Sequence, residues 1–268
     1  MGEVWKARDE SLGRQVAVKL LHPRGDTSEI ERTYLKRRLS REAQITSTVR
    51  HRAVVRALDV GTTSADEPYI VMEFLRGKPL DRILARRRPI PAARAVELML
   101  PVADGLATLH TVGVVHRDIK PENIFMAWEP VRQICPKLID FGVAKLLDPF
   151  RREMLTGSGL IGTPGYMAPE QALDSSAVDG RADVWSFCVV LYEMLCGRVP
   201  FAGQTSTDVL RAVLEQDVPR PPEDLGVDSA LWTMIERGLE RQREKRWDRM
   251  RPLASALGAW LDDQPRRG

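Results

Sequence analysis

Apolar and polar residues alternate along the first part of the chain. Val4 to Arg8 and Gln15 to Leu21 both have strand character, joined by a short turn at Ser11-Leu12-Gly13. In the second run Val16 and Val18 alternate with Ala17 and Lys19, so Lys19 points away from Val18 and toward whatever lies on the other face. From 30 to 49 the period becomes helical, with Leu35, Leu39, Ile45 and Val49 along one side. Glu42 falls on that apolar stripe, where a lone carboxylate is unfavourable unless a cation meets it, and Lys19 is the natural one. Strand-like runs return at 54–60 and 69–74, and Arg76-Gly77-Lys78-Pro79 then breaks the pattern and marks a hinge between lobes. Beyond it the spacing predicts helices over 80–87, 91–112, 182–196, 205–214, 228–237 and 252–261. An α+β chain is expected, with a small strand-rich part at 1–74 and a larger helical part at 75–268.

Composition narrows the classes. With 268 residues and 43% hydrophobic composition the chain can bury one large or two smaller cores. A formal net charge of +3 argues against a protein that binds nucleic acid through bulk charge. The basic runs at Lys36-Arg37-Arg38 with Arg41, and at Arg86-Arg87-Arg88, read as solvated faces or loops. Cys135, Cys188 and Cys196 have no metal-ligand spacing and fit a reducing compartment. Nothing reads as a signal peptide, and the longest apolar run, Val184 to Leu195, holds Ser186 and Glu193 and is too short to cross a bilayer. A cytoplasmic location without membrane contact is expected for this segment.

Three strings carry the chemistry: HRDIKPEN at 116–123, DFG at 140–142 and GTPGYMAPE at 162–170. Asp118 lies five residues before Asn123, in a loop between Val114-Val115 and the strand-like Ile124-Phe125-Met126. Asp140 emerges at a strand end after Leu138-Ile139. Alone, an Asp-x-x-x-x-Asn or an Asp-Phe-Gly reads as turn chemistry, and Lys19 as an exposed strand lysine. Together they put two acids, an amide and a lysine where a nucleotide phosphate, its metal and an attacking hydroxyl can meet.

These strings, with VAVK at 16–19, resemble the signature set of serine/threonine protein kinases over nearly the whole chain. The resemblance implies a two-lobed fold and transfer of the ATP γ-phosphoryl to protein hydroxyls. It implies that Asp118 orients the hydroxyl and that Asn123 and Asp140 hold Mg2+, with Mn2+ as an alternative. Lys19, fixed by Glu42, contacts the α- and β-phosphates. Lys120 lies near the γ-phosphate, and Thr163 bonds Asp118 and Lys120; both favour serine/threonine over tyrosine. Phe141 is a buried packing switch and Gly142 a backbone turn. Adenine is expected between Val4 and Ala17 above and Phe125 below, with Met72 at the rear and the backbone of Glu73 and Leu75 as the hinge. Arg117 pairs a phosphate on the loop at Thr156 or Ser158, implying autophosphorylation, in trans by another copy of the chain; their bland reading is polar loop residues. Glu170 and Arg246 form a structural ion pair, and Asp183 braces the catalytic-loop backbone or serves merely as a helix N-terminal carboxylate. His116 packs under the loop.

The pattern departs from the family at its start. Gly2 and Val4 fit the last glycine and the valine of a glycine-rich loop, so two glycines and the first strand are expected to be missing, by truncation or a misplaced start. That loss would weaken nucleotide binding and leave a sheet edge open. Thr46 replaces a bulkier apolar residue, and EAQIT with GTPGYMAPEQA looks most like bacterial members. Two other readings stay open: a pseudokinase-like binding scaffold, and a small-molecule phosphotransferase of kindred fold.

Overall fold

The computed structural model describes residues 3–20, 49–65, 67–86, 88–129, 134–140, 164–173 and 178–265. The expected helix over 30–49 lies almost wholly outside them.

The N-terminal strands β1 (Glu3–Asp9) and β2 (Arg14–Leu20) form a hairpin, and β3 (Ala57–Thr62) and β4 (Pro68–Glu73) complete an antiparallel sheet in the order β1-β2-β4-β3. Asp9 closes the hairpin, its Oδ1 accepting the N–H groups of Ser11 and Leu12 at 3.1 Å each. Register puts Val4 opposite Lys19, and Ala17 opposite Met72, so Val4, Ala17, Lys19 and Met72 share one face. Beta-branched and aromatic residues favour this pleated surface, but β1 is a thin edge: Val4 and Trp5 are 59% and 57% exposed.

The run expected as a strand over 54–60 is displaced to Ala57–Thr62. The reason is a competing partner: Leu138 donates to Ala53 O at 2.7 Å and accepts from Val55 N–H at 2.9 Å, holding 53–55 against the second sheet. That sheet comprises β5 (Gly77–Pro79), β6 (Ile124–Ala127) and β7 (Cys135–Leu138), all antiparallel. The expected break at 76–79 is instead a short strand, since Gly77–Pro79 pairs with β6. Gly77 has φ 147°, and a Cβ there would run into the carbonyl oxygen of Met126.

The helices are α1 (Asp81–Leu84), α2 (Ala92–Thr111), α3 (Pro169–Leu173), α4 (Gly180–Cys196), α5 (Ser206–Glu215), α6 (Ser229–Gly238) and α7 (Met250–Asp262). The first is shorter than the expected 80–87, because the chain turns to exposed Arg86 and Arg88 before Pro89. Helices α2 and α4 to α7 match the apolar spacing within two residues, and α3 was not expected. Asp179 caps α4 by accepting the Arg181 N–H, and Gly197 ends it with φ 68°. Helix α4 is buried on nearly all sides because it is the axis of the main core: Trp185, Phe187, Leu191 and Tyr192 are fully buried. Around it pack Met99 and Leu106 of α2, Ile235 of α6 and Leu257 of α7. Trp185 stacks on Phe201 with ring centres 5.5 Å apart. Among the described residues no helix is long and apolar enough to cross a membrane.

Candidate active site

The loop at 116–123 is set by a buried carboxylate. Asp183, in the first turn of α4, is fully buried; its Oδ2 accepts the N–H of His116 and its Oδ1 that of Arg117, both at 2.8 Å. Oδ2 also meets Nε2 of His110 on α2 at 2.8 Å. Gly180 permits this approach, for a Cβ there would stand 2.9 Å from the His110 ring. Burial by itself would raise the Asp183 pKa, but the His110 hydrogen bond, the charges of His110 and His116 and the His116 N–H outweigh it and hold the carboxyl below its ordinary value. Arg117 adopts φ 63°, a conformation these bonds stabilise, and Gln171 Nε2 donates to its carbonyl at 3.0 Å. His116 lies beneath the loop as expected, fully buried; its Nδ1 accepts the Asp118 N–H at 3.3 Å and its Nε2 meets Ile139 O at 3.3 Å.

This brace brings three sequence-predicted residues together. Asn123 Nδ2 donates to Asp118 Oδ2 at 2.9 Å and to Asp118 O at 2.7 Å, while Lys120 Nζ lies 3.5 Å from Asp118 Oδ2. The amide nitrogen of Asn123 is thereby committed and its Oδ1 is the acceptor that remains for a cation. Asn123 O accepts the Ile139 N–H at 2.9 Å, which ties the loop to the strand leading into Asp140. Asp140 has φ 57°, and its side chain is 35% exposed. Across the cleft Lys19 Nζ reaches Asp140 Oδ1 at 2.6 Å. Lys19 thus finds a carboxylate; Glu42, the partner expected from the sequence, lies outside the described residues.

Of the other expected positions, Val4, Ala17 and Met72 share the Lys19 face, Glu73 and Leu75 follow at the end of β4, and Phe125 lies on β6 between Pro79 and Lys137. The N–H of Glu73 is committed to Arg56 O at 3.0 Å, which leaves it no backbone donor for a ligand. Glu170 and Arg246 pair through two hydrogen bonds. Gly2, Thr46, Phe141, Gly142, Thr156, Ser158 and Thr163 lie outside the described residues.

Sequence reasoning missed several supports. Tyr166 donates to Glu193 Oε2 at 2.6 Å, and Ser186 Oγ donates to Tyr166 O at 2.7 Å, fixing Tyr166 on α4. Burial, then the Glu193 charge, pushes the Tyr166 phenol far above its usual range; burial likewise raises Glu193, against the Tyr166 hydrogen bond. The available signal was Glu193 interrupting the longest apolar run. Nothing local marked His110, Gln171 or Lys137.

Among the described residues no cluster of three His, Cys, Asp or Glu side chains gathers to hold a metal ion. Asp140 and Asn123 supply one carboxylate and one amide oxygen, a donor set that suits a hard divalent cation completing its shell with phosphate and water.

The model of the protein kinase domain matches residues 1–256. The chain is 38% identical over 263 residues to the serine/threonine-protein kinase pkn2 of Myxococcus xanthus, covering 97% of this chain and 31% of that protein. It is 36% identical over 251 residues to the serine/threonine-protein kinase PknB of Mycobacterium tuberculosis, covering 92% of this chain and 39% of the relative. Among solved structures, Rad53 residues 1–466 in complex with AMP-PNP superposes with a TM-score of 0.75 at 23% identity, over 97% of this chain and 61% of that one. The chain belongs to the protein kinase domain family. It is a two-lobed, bacterial-type serine/threonine kinase domain, and it spans roughly a third of the length of these curated relatives. The family uses ATP and a divalent metal ion.

Proposed function

We propose that this domain transfers the γ-phosphoryl of ATP to serine and threonine hydroxyls of proteins through the residues gathered at Asp118. The observation that carries this is the triad Asp118, Lys120 and Asn123, tied by the Asn123 carbonyl to the strand that delivers Asp140 opposite Lys19. Phosphoryl transfer depends chiefly on positioning and charge stabilisation. Asp118 accepts a hydrogen bond from the acceptor hydroxyl and orients its lone pair toward phosphorus. Lys120 neutralises charge beside it. Lys19 exchanges part of its hold on Asp140 for the α- and β-phosphates, with Glu42 as its second anchor. Mg2+, or Mn2+, held by Asp140 and the Oδ1 of Asn123, would offset negative charge on the phosphates.

Adenine is proposed to lie between Val4 and Ala17 on one side and Phe125 on the other, with Met72 behind it and Glu73 and Leu75 at the hinge. The lobes are proposed to divide between residues 74 and 75. Arg117 is proposed to pair with a phosphate carried on Thr156 or Ser158 and added in trans by another copy of the domain, and Thr163 to support Asp118 and Lys120. Protein substrates are its partners, without nucleic acid or membrane contact from this segment, and its setting is cytoplasmic.

Purified chain incubated with [γ-32P]ATP, Mg2+ and a generic protein acceptor tests this. Label on phosphoserine and phosphothreonine is expected. Label confined to phosphotyrosine, or none despite a nucleotide-induced rise in melting temperature, would overturn the reading. Phosphopeptide mapping of active enzyme with Thr156 and Ser158 both unmodified would remove the autophosphorylation step.

A further inference from the structure

Lys137 on β7 is 8% exposed and has no part in the chemistry above. Its Nζ lies 3.2 Å from Glu73 Oε1 and 3.5 Å from Oε2, with Glu129 Oε1 as a second carboxylate at 3.8 Å. A strongly hydrated ammonium is unfavourable in such a place unless acids hold it, so the pairing needs a reason.

Glu73, at the end of β4, is held at two further points. Its Oε1 accepts the Arg56 N–H at 2.9 Å, and its own N–H donates to Arg56 O at 3.0 Å. The neighbouring Val55 donates to Leu138 O at 2.9 Å, and Leu138 follows Lys137 in the chain. These bonds close a ring through Lys137, Glu73, Arg56, Val55 and Leu138. On its other side Lys137 is the direct cross-strand partner of Phe125, and the two share a face. Lys137 therefore joins the end of β4, through its ammonium, to Phe125 and to the strand leading to Asp140, through its place in β7.

We propose that Lys137 is a positioning residue: it sets the Glu73 carbonyl relative to Phe125 and so selects nucleotides that carry a 6-amino group on the purine. This rests on the hinge reading of Glu73 and Leu75. The Glu73 N–H is spent on Arg56, so a purine can meet this residue's backbone only through the carbonyl, an acceptor that favours an amino over an oxo substituent.

The test compares ATP with ITP, whose purine carries oxygen in place of the 6-amino group, by dissociation constant and kcat on the full chain. Wild type is expected to bind ATP about tenfold more tightly than ITP, the scale of one hydrogen bond. Lys137→Met is expected to shrink that ratio to about threefold or less while kcat at saturating ATP stays within about twofold, and Lys137→Arg to restore it. If Lys137→Met does not fold, Glu73→Gln removes the ion pair but keeps an acceptor for Arg56, and is expected to lose the same preference. Variants that melt lower yet keep the wild-type ratio would show Lys137 to be structural only and overturn the proposal. A wild type that does not distinguish ATP from ITP would overturn the hinge reading itself, and the proposal with it.

Discussion

Arg246 holds Glu170 through two parallel hydrogen bonds, Nη1 to Oε1 at 2.7 Å and Nη2 to Oε2 at 2.8 Å, from a position 2% exposed. The same guanidinium donates to the carbonyls of Glu240 at 2.6 Å, Arg241 at 3.1 Å and Arg181 at 3.2 Å, and lies 5.0 Å from the Trp185 ring centre. All five of its N–H donors have acceptors, which is what allows a charge to remain at that depth. Helix α3, the start of α4 and the segment before α7 meet on this one group.

Removing it should unfold rather than disable. Arg246→Met is expected to lower the unfolding free energy by about 3–5 kcal/mol, because Glu170 is left as an uncompensated buried charge. Denaturant titration measures this. A loss below about 1 kcal/mol would mean that water re-enters and replaces the guanidinium.

Asp183 should behave oppositely, with its main effect on activity. Asp183→Asn keeps the shape but loses the charge that orients the His116 and Arg117 N–H groups, so kcat is expected to fall with the fold retained. The pH sign follows from its depressed pKa. The unfolded carboxyl titrates near 3.8, and the folded one lower, so its contribution to stability is complete above about pH 4 and is lost as pH falls through the folded value. Acid unfolding curves should therefore be shallower below pH 4 for Asp183→Asn than for wild type. Parallel curves would count against the charged-brace account.

Asp118→Asn is expected to reduce kcat by about 10²–10⁴-fold with little change in the KM for ATP or in melting temperature. Asp140→Asn is expected to abolish transfer with the fold intact. Initial rates on a protein acceptor, with circular dichroism melts, separate these from unfolding. Substantial phosphorylation by Asp140→Asn would sink the assignment.

Gly77→Ala probes the second sheet. The residue has φ 147° and no room for a Cβ beside the Met126 carbonyl, so the substitution is expected to cost about 1–3 kcal/mol of stability. Since Phe125 pairs with Pro79 two residues on, nucleotide affinity should weaken with it. An unchanged melt would show that the strand can re-seat without loss.

Much of this protein was legible from local pattern. Period-two alternation located β1, β2 and β4 within a residue, and period-3.6 spacing located α2 and α4 to α7, because each of those elements presents one repeating apolar face to a core. The prediction failed where a segment had two suitors. Residues 53–55 are as strand-like as 57–60, yet they bond Leu138, and Gly77–Pro79 reads as a breaker yet pairs with β6.

The site divides in the same way. The candidate groups Lys19, Asp118, Asn123 and Asp140 stand in short strings whose spacing and resemblance already singled them out, since a loop of eight residues keeps an acid and an amide within reach of each other. The pairing of Glu170 with Arg246 and the brace at Asp183 came from the resemblance, not from spacing. Of the residues that brace the loop and its neighbours, His110 and Gln171 have no local signature, and Glu193 shows only as a charge interrupting an apolar run. Which carboxylate meets which cation across a fold depends on how sheets and helices stack, and that is set by long-range packing of side chains many residues apart.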